Sequence, residues 1–257
     1  QMTSGANVAE NLAMARSYVN EAALAGADLV VLPENFSLMA GRHSDRLRAA
    51  GAEDQVRTFL STLAGQHQLV LVGGSVPLPA ADNRVTNTCL VYGPDGSCLA
   101  RYDKMHLFDV KLEDGESYGE SRYIEPGANS VTVDALSTRI GLTVCYDIRF
   151  PELFRGLAQQ GAEILTVPSA FTMPTGEAHW EVLLRARAIE NLSWVVAPAQ
   201  TGEHPGRSTW GHSVIISPWG EVVAEKVTDT GPIVAEADLT ALRELRKRFP
   251  SLEHRRL

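Results

Sequence analysis

Cysteine is scarce in this chain of 257 residues, which has only Cys89, Cys98 and Cys145. Three cannot all pair with one another, so the fold is not expected to rest on a disulfide framework. A reducing cytoplasm is the compartment this usage points to. Long apolar runs are missing as well. None approaches the ~18 residues of a membrane span, and no basic start leads into an apolar stretch and a small-residue cleavage site. A soluble protein with neither a membrane nor a signal peptide is therefore expected. Positive charge is short: 23 Lys and Arg face 31 Asp and Glu, for a net charge of -8. Phosphate binding wants a basic face, so nucleic acid is not the expected partner. The one basic cluster, LRELRKRFPSLEHRR (242–256), carries Glu244 and Glu253 among its cations. It reads as a solvated helix face and tail, or as a subunit contact. No CxxC or HxxxH spacing occurs, and VGGSVP (72–77) lacks the pattern of a nucleotide-binding loop. Neither a metal nor an organic cofactor is expected.

What is present suits one α/β domain over residues 1–257, with 44% hydrophobic residues for a core. Residues 8–26 place Val8, Leu12, Ala15 and Val19 at helical spacing and close on Gly26. DLVVLPENF follows as a buried strand, then a helix over 46–66 and the strand LVLVGGSV. RVTNTCLVYG and SCLARYDK flank PDG, a hairpin signal. A long polar loop covers 105–130, before strands near 130–133 and 139–145 and a helix at 151–160. EILTVPSAF, a helix at 177–190, WVVAPAQTG and two strands around PWG complete the order. GADLVVLPENF (26–36) and GAEILTVPSAF (161–171) are alike, each running from helix cap through buried strand to proline-ended loop. Two related halves on a common core are one reading; chance similarity is the other. Cys89 and Cys98 read as core residues.

Polar residues leaving buried strands are natural site candidates, because the strand fixes the backbone while the loop exposes the side chain. Three exits are chemically complementary: Glu34 after DLVVLP, Lys104 after CLARYD and Cys145 after IGLTV. A carboxylate can take the thiol proton, and the thiolate is the nucleophile. An ammonium can stabilise the oxyanion of a tetrahedral intermediate, and the protonated carboxyl can then serve the leaving amine. The run IGLTVCYDIRFPE (140–152) turns from a strand through Cys145 into a helix, like a nucleophile elbow. The backbone N–H groups of Cys145 and Tyr146 are the expected oxyanion donors.

These residues also carry a resemblance. LPENF (32–36), RYDKMHLFDV (101–110) and GLTVCYDIRFPELFRGLAQQGAEIL (141–165) resemble the three signature segments of the nitrilase (carbon–nitrogen hydrolase) superfamily, over essentially the whole chain. The resemblance implies a four-layer α-β-β-α sandwich of two face-to-face sheets with outer helices. It also implies Glu34 as general base, Lys104 as oxyanion stabiliser and Cys145 as nucleophile. Glu120 in YGESRYIEPG (118–127) matches the family's fourth site residue, with Glu116 and Glu125 as competitors. CYDIRFPEL, PSAFTMPTGEAHWEVLLRARAIE (168–190) and GHSVIISPWGEVVAE (211–225) are similar to the small ω-amidase branch.

The activity implied is cleavage of the terminal carboxamide of a small carboxylate-bearing amide through a cysteine thioester, with release of ammonia. Deaminated glutathione is the favoured substrate. The alternatives are 2-oxoglutaramate, an N-carbamoyl amino acid or a nitrile, and, outside enzymes, a silent binding member. Arg149 is the candidate for the substrate carboxylate because guanidinium pairs with it bidentately; an ion pair with Asp147 or Glu152 is its other reading. Tyr146, Phe171 and Thr175 are implied to line the pocket. No histidine pairs convincingly with Cys145 from sequence, which disfavours a Cys–His arrangement. Glu181 and Arg185 form an i,i+4 pair on a helix that the resemblance places at a subunit interface. A homodimer or larger homo-oligomer is expected, with the C-terminal segment reaching over the partner. The family normally has a strand before a QM-like segment, and this sequence starts at Gln1. Were that strand absent, an edge of the core sheet would be exposed.

Overall fold

Asn7 accepts hydrogen bonds from the N–H groups of Ala9 and Glu10 and so opens helix α1 (Val8–Leu24), whose Leu12, Ala15 and Val19 are buried. The computed structural model describes residues 1–111 and 117–256. After α1 come β1 (Leu29–Val31), α2 (His43–Ala50), α3 (Glu53–His67), β2 (Val70–Val72), β3 (Val76–Pro79), β4 (Val85–Tyr92) and β5 (Cys98–Asp103). A short hairpin, β6 (Asp109–Lys111) and β7 (Ser117–Gly119), leads to β8 (Val131–Ala135) and β9 (Thr138–Leu142). Next are α4 (Pro151–Gln159), β10 (Ile164–Thr166), α5 (Met173–Asn191) and β11 (Trp194–Ala197). The chain ends with β12 (Thr201–His204), β13 (Arg207–Trp210), β14 (Ser213–Ile216), β15 (Val222–Lys226) and α6 (Leu239–Arg248).

Two sheets result. In the first the order is β1-β2-β4-β3, with β5 on the other edge of β4; in the second it is β15-β14-β11-β10-β9-β8. Strand alternation sorts the side chains. Val70 and Val72 of β2, Cys89 and Val91 of β4 and Tyr102 of β5 share a core with Ile140, Leu142 and Ile164 of the second sheet. The alternate residues Leu71, Leu90 and Tyr92 turn the other way and pack under Leu12, Val19, Leu60 and Leu63 of α1 and α3. Phe154 and Leu157 of α4 and Trp180 and Leu184 of α5 cover the far side. The architecture is the expected four-layer sandwich.

The two similar segments adopt the same local geometry. Gly26 and Gly161 both take a left-handed φ, +86° and +94°. The N–H groups of Ala27 and Ala162 bond Ala22 and Leu157, each five residues back. Leu32 N–H bonds Val72 O as Val167 N–H bonds Val196 O, both at 2.9 Å. Each unit delivers its proline-ended loop to the same end of its sheet.

Several expectations need correction. The helix placed at 46–66 is two helices, broken at Gly51 and Ala52. LVLVGGSV is split into β2 and β3 at Gly73 and Gly74, and Gly74 is obligatory: its φ is +51° and a Cβ there would run into the Pro33 carbonyl. The 105–130 segment, read as loop, contains the β6–β7 hairpin. Cys98 is exposed, because it opens a strand whose outer face meets solvent, whereas Cys89 is buried. Within the basic cluster, Arg243 and Arg246 dock on their own chain. Arg243 grips Glu163 with two 2.8 Å bonds, and Arg246 donates to Ala162 O at 2.7 Å. β1 forms one edge of its sheet, and residues 29–33 border a cavity of about 800 Å³ between the sheets. Among the described residues no helix is long and apolar enough to cross a membrane, and no group of three or more His, Cys, Asp or Glu is placed to hold a metal.

Candidate active site

Cys145 lies beyond the last paired residue of β9, but the ladder to the β10 segment continues through it. Thr143 N–H bonds Thr166 O at 3.2 Å, and Cys145 N–H bonds Pro168 O at 2.9 Å. The chain then reverses. Cys145 adopts φ +51° and opens a 3₁₀ turn, Cys145–Arg149, from which Pro151 starts α4. A left-handed conformation costs a residue with a Cβ about 1–2 kcal/mol, so surrounding contacts must hold it. They are supplied by two buried side chains. Asp147 accepts from Val144 N–H at 2.8 Å, Tyr102 Oη at 2.6 Å, His106 N–H at 3.1 Å and His106 Nδ1 at 2.8 Å. Arg187, from α5, donates twice to Ile148 O, at 2.9 and 2.7 Å. The elbow is therefore clamped from both sides, and Asp147 ties it to the segment that carries Lys104. The expectation that Cys145 N–H serves an oxyanion is corrected, since that N–H is committed to Pro168. Tyr146 N–H remains, within the first turn, where N–H groups lack intrahelical partners.

Glu34 follows β1 and is held at its backbone, where Gln200 Nε2 donates to Glu34 O at 3.0 Å. Lys104 follows β5, its N–H bonded to Asn87 O and its carbonyl to Gly127 N–H, both at 2.9 Å. The side chains converge out of water. Lys104 Nζ lies 3.0 Å from Glu34 Oε1 and 2.9 Å from Glu120 Oε2, with Lys104 and Glu34 only 1% and 3% exposed. Asn87 Nδ2 also donates to Glu34 Oε1, at 3.0 Å. Phe108 N–H donates to Glu120 Oε2 at 2.8 Å. Of the two competing glutamates, Glu125 pairs instead with Arg84 at 3.1 Å; Glu116 lies outside the described residues.

Burial works against the charge on Glu34. The Lys104 ammonium, the Arg207 guanidinium and hydrogen bonds from Cys145 and Lys104 outweigh it, holding the carboxyl below its ordinary value. Burial likewise opposes the Lys104 charge, but Glu120 and Glu34 hold the ammonium well above its usual range. The Cys145 thiol is pushed up, first by burial and then by the Glu34 charge, with Lys104 pulling less strongly the other way. The resting site is thus a neutral thiol beside a carboxylate and an ammonium. Such a set can transfer the thiol proton in the same step as attack on a carbonyl.

The cavity above Cys145 is narrow, about 20 Å³, and Tyr146, Phe171 and Thr175 are among the residues that line it. Arg149 stands at its side: the guanidinium carbon is 5.7 Å from the ring centres of both Tyr146 and Phe171, and Nη2 is 3.4 Å from His179 Nδ1. It pairs with neither Asp147 nor Glu152, the former being turned inward. The sequence reading missed Phe108 and Arg207, which also line the cavity, and Asn87. Arg207 arrives on the β12–β13 hairpin, whose polar strands bond each other and lack an apolar period. Only the PG turn between them was a visible signal.

A family model described as carbon–nitrogen hydrolase matches residues 1–247. The chain is 44% identical over 262 residues to a deaminated glutathione amidase of Synechocystis sp. (strain PCC 6803 / GT-S), covering 99% of this chain and 96% of that protein. It is 38% identical over 249 residues to Omega-amidase NIT2 of Homo sapiens, covering 96% and 90%. Among solved structures, the C. elegans NitFhit protein superposes with a TM-score of 0.94 at 38% identity. That match covers all of this chain and 63% of the longer one.

Proposed function

The chain belongs to the carbon–nitrogen hydrolase family and is an amidase of it, and on that premise we propose that Cys145, Glu34, Lys104 and Glu120 carry the reaction. Cys145 Sγ attacks the amide carbon as Glu34 takes the thiol proton. Lys104 Nζ and Tyr146 N–H face the developing oxyanion. Glu34 returns its proton to the leaving nitrogen, the C–N bond breaks and a thioester remains. Water then gives a proton to Glu34 and its oxygen to the acyl carbon, the C–S bond breaks, and Glu34 passes that proton to the sulfur, which frees the acid and restores the thiol and the carboxylate. Glu120 fixes Lys104 and positions the water. The convergence of Cys145, Glu34, Lys104 and Glu120 on one buried cavity, with Lys104 Nζ 3.0 Å from Glu34 Oε1, supports this reading most directly.

The substrate is a small amide that carries a carboxylate, with deaminated glutathione favoured and 2-oxoglutaramate second. The two differ in chemistry. The primary carboxamide of 2-oxoglutaramate yields ammonia. A deaminated glutathione holds only secondary amides, so its cleavage yields an amine. Phe171, Thr175 and Tyr146 shape the pocket, and Arg149 meets a carboxylate. The protein acts as one domain in a reducing cytoplasm, in keeping with three unpaired cysteines. It acts as a homodimer: Val182 (70% exposed) and Ile189 on α5, Trp219 (60%) and Phe249 form an apolar surface suited to a second copy.

The test is product formation from deaminated glutathione, 2-oxoglutaramate, an N-carbamoyl amino acid and a nitrile, with amine, ammonia and acid all measured. Turnover of the first, abolished in Cys145→Ala, is expected. Turnover of the second alone moves the assignment to an ω-amidase, and turnover of none overturns the reading.

A further inference from the structure

Arg207 lines the Cys145 cavity, Arg149 lies over two of its lining rings and Arg46 meets the same 39–40 segment as Arg207; among the described residues none of the three has a carboxylate within ion-pair distance. Arg207 lines the cavity together with Cys145, Glu34 and Glu120. Its Nη2 makes one side-chain contact, to the Met39 sulfur at 3.6 Å. Arg46, half-buried in α2, donates to Ala40 O at 3.3 Å. Both guanidiniums thus abut residues 39–40. The β12–β13 turn closes on the next residue, where a Cβ on Gly41 would meet Pro205 Cβ at 3.3 Å. Arg149 reaches the site from elsewhere, over Tyr146 and Phe171 and toward His179.

The cavity lining holds two cations, Lys104 and Arg207, and two carboxylates, Glu34 and Glu120, but both carboxylates are bonded to Lys104 and Arg207 has no contact carboxylate of its own. A partly buried guanidinium without an acceptor is costly unless a ligand supplies one. Arg207 helps to hold Glu34 ionised, but it does so through space, without an ion pair to that carboxylate, so its guanidinium fork is left open to a ligand.

We propose that Arg207, backed by Arg46, is a carboxylate anchor on one side of the scissile bond and Arg149 is the anchor on the other. The enzyme then selects amides that bear a carboxylate on both the acyl and the leaving-group portions. The proposal rests on the amidase reading above. Hydrolysis of such a compound breaks the C–N bond, adds one water, and yields a dicarboxylic acid and an amine that keeps its own carboxylate.

The experiment measures kcat and KM on deaminated glutathione, on its glycine methyl ester and on 2-oxoglutaramate, for wild type, Arg207→Gln, Arg207→Lys and Arg149→Gln. Masking the glycine carboxylate is expected to raise KM roughly 10–100-fold, the worth of one charge-assisted pair. Arg207→Gln raises KM on the diacid by a similar factor with kcat changed much less. Arg207→Lys falls between, because it keeps the charge and loses the fork. On the ester, the arginine that met the masked group no longer matters. An equal fall in kcat on all three compounds, with KM unchanged, overturns the proposal, because Arg207 would then act through Glu34. If no amide is turned over, the amidase reading fails separately. The anchor is then judged by calorimetry of N-glutarylglycine binding to Cys145→Ala with and without Arg207→Gln. A loss of at least tenfold supports the anchor, and unchanged binding overturns it.

Discussion

Replacing Lys104 with methionine keeps the length and apolar stem of the side chain and deletes its charge. Lys104 is 1% exposed and bonded to both Glu34 and Glu120. Glu120 loses less by the change, since its carboxylate retains Phe108 N–H and is 21% exposed. Glu34 carries most of the cost. It keeps Asn87 Nδ2 and the Cys145 thiol but is left as a buried charge without its contact cation. Breaking a buried pair in this way costs about 3–5 kcal/mol. The variant can escape part of that cost by protonating Glu34, and this makes the test specific. In wild type the Glu34 pKa is depressed, so its contribution is full above the unfolded value of 4.5 and is lost only as pH falls below it. In Lys104→Met burial dominates and the folded pKa rises above 4.5. Native protein then binds a proton that the unfolded chain lacks, so stability increases as pH falls, by up to about 1.4 kcal/mol per unit. Urea denaturation should show a deficit of about 3–5 kcal/mol at pH 8 that shrinks by roughly 2–3 kcal/mol at pH 5.5. Amidase activity should fall at least about 100-fold at either pH, as when an oxyanion donor is removed. A deficit that does not change with pH would refute an ionised Glu34, and with it the proposed general base.

Two other outcomes follow from the same contacts. Asp147→Asn presents an amide to the Val144 and Tyr102 donors and leaves a buried N–H without an acceptor. It should cost about 2–4 kcal/mol in thermal or urea unfolding and slow alkylation of Cys145 by iodoacetamide. Unchanged stability and alkylation would show that the elbow does not depend on this clamp. Wild type should sediment as a dimer at micromolar concentration, and Val182→Glu combined with Trp219→Glu should weaken association at least tenfold. Dimers that persist in that variant would place the interface elsewhere.

The legible part of this molecule is the part in which chain neighbours decide position. Glu34, Lys104 and Cys145 each leave a strand, and a strand end fixes the exit of its side chain whatever surrounds it. Their convergence was thus readable once the strands were recognised, with the resemblance supplying the order. The break at Gly51 was not readable. That residue is right-handed, at φ -64°, so the turn between α2 and α3 shows no glycine signature while the helical period runs on across it. Asp147 stands two residues from Cys145 and two from Arg149. The sequence offered it as an ion-pair partner, but Val144 N–H and Tyr102 draw its carboxylate inward. Arg207 lies further from local logic. Its hairpin is polar on both strands, and its place at the cavity depends on a turn near Pro205 closing over Gly41, far away in the chain. The proposed nucleophile, base and oxyanion donor are therefore set by strand ends, whereas the surrounding charge is set by packing between distant segments. If Arg207 is the proposed anchor, a change in this hairpin alone alters substrate preference while the three strand-end residues stay in place. An arginine carried on it changes the charge of the pocket without moving the sulfur.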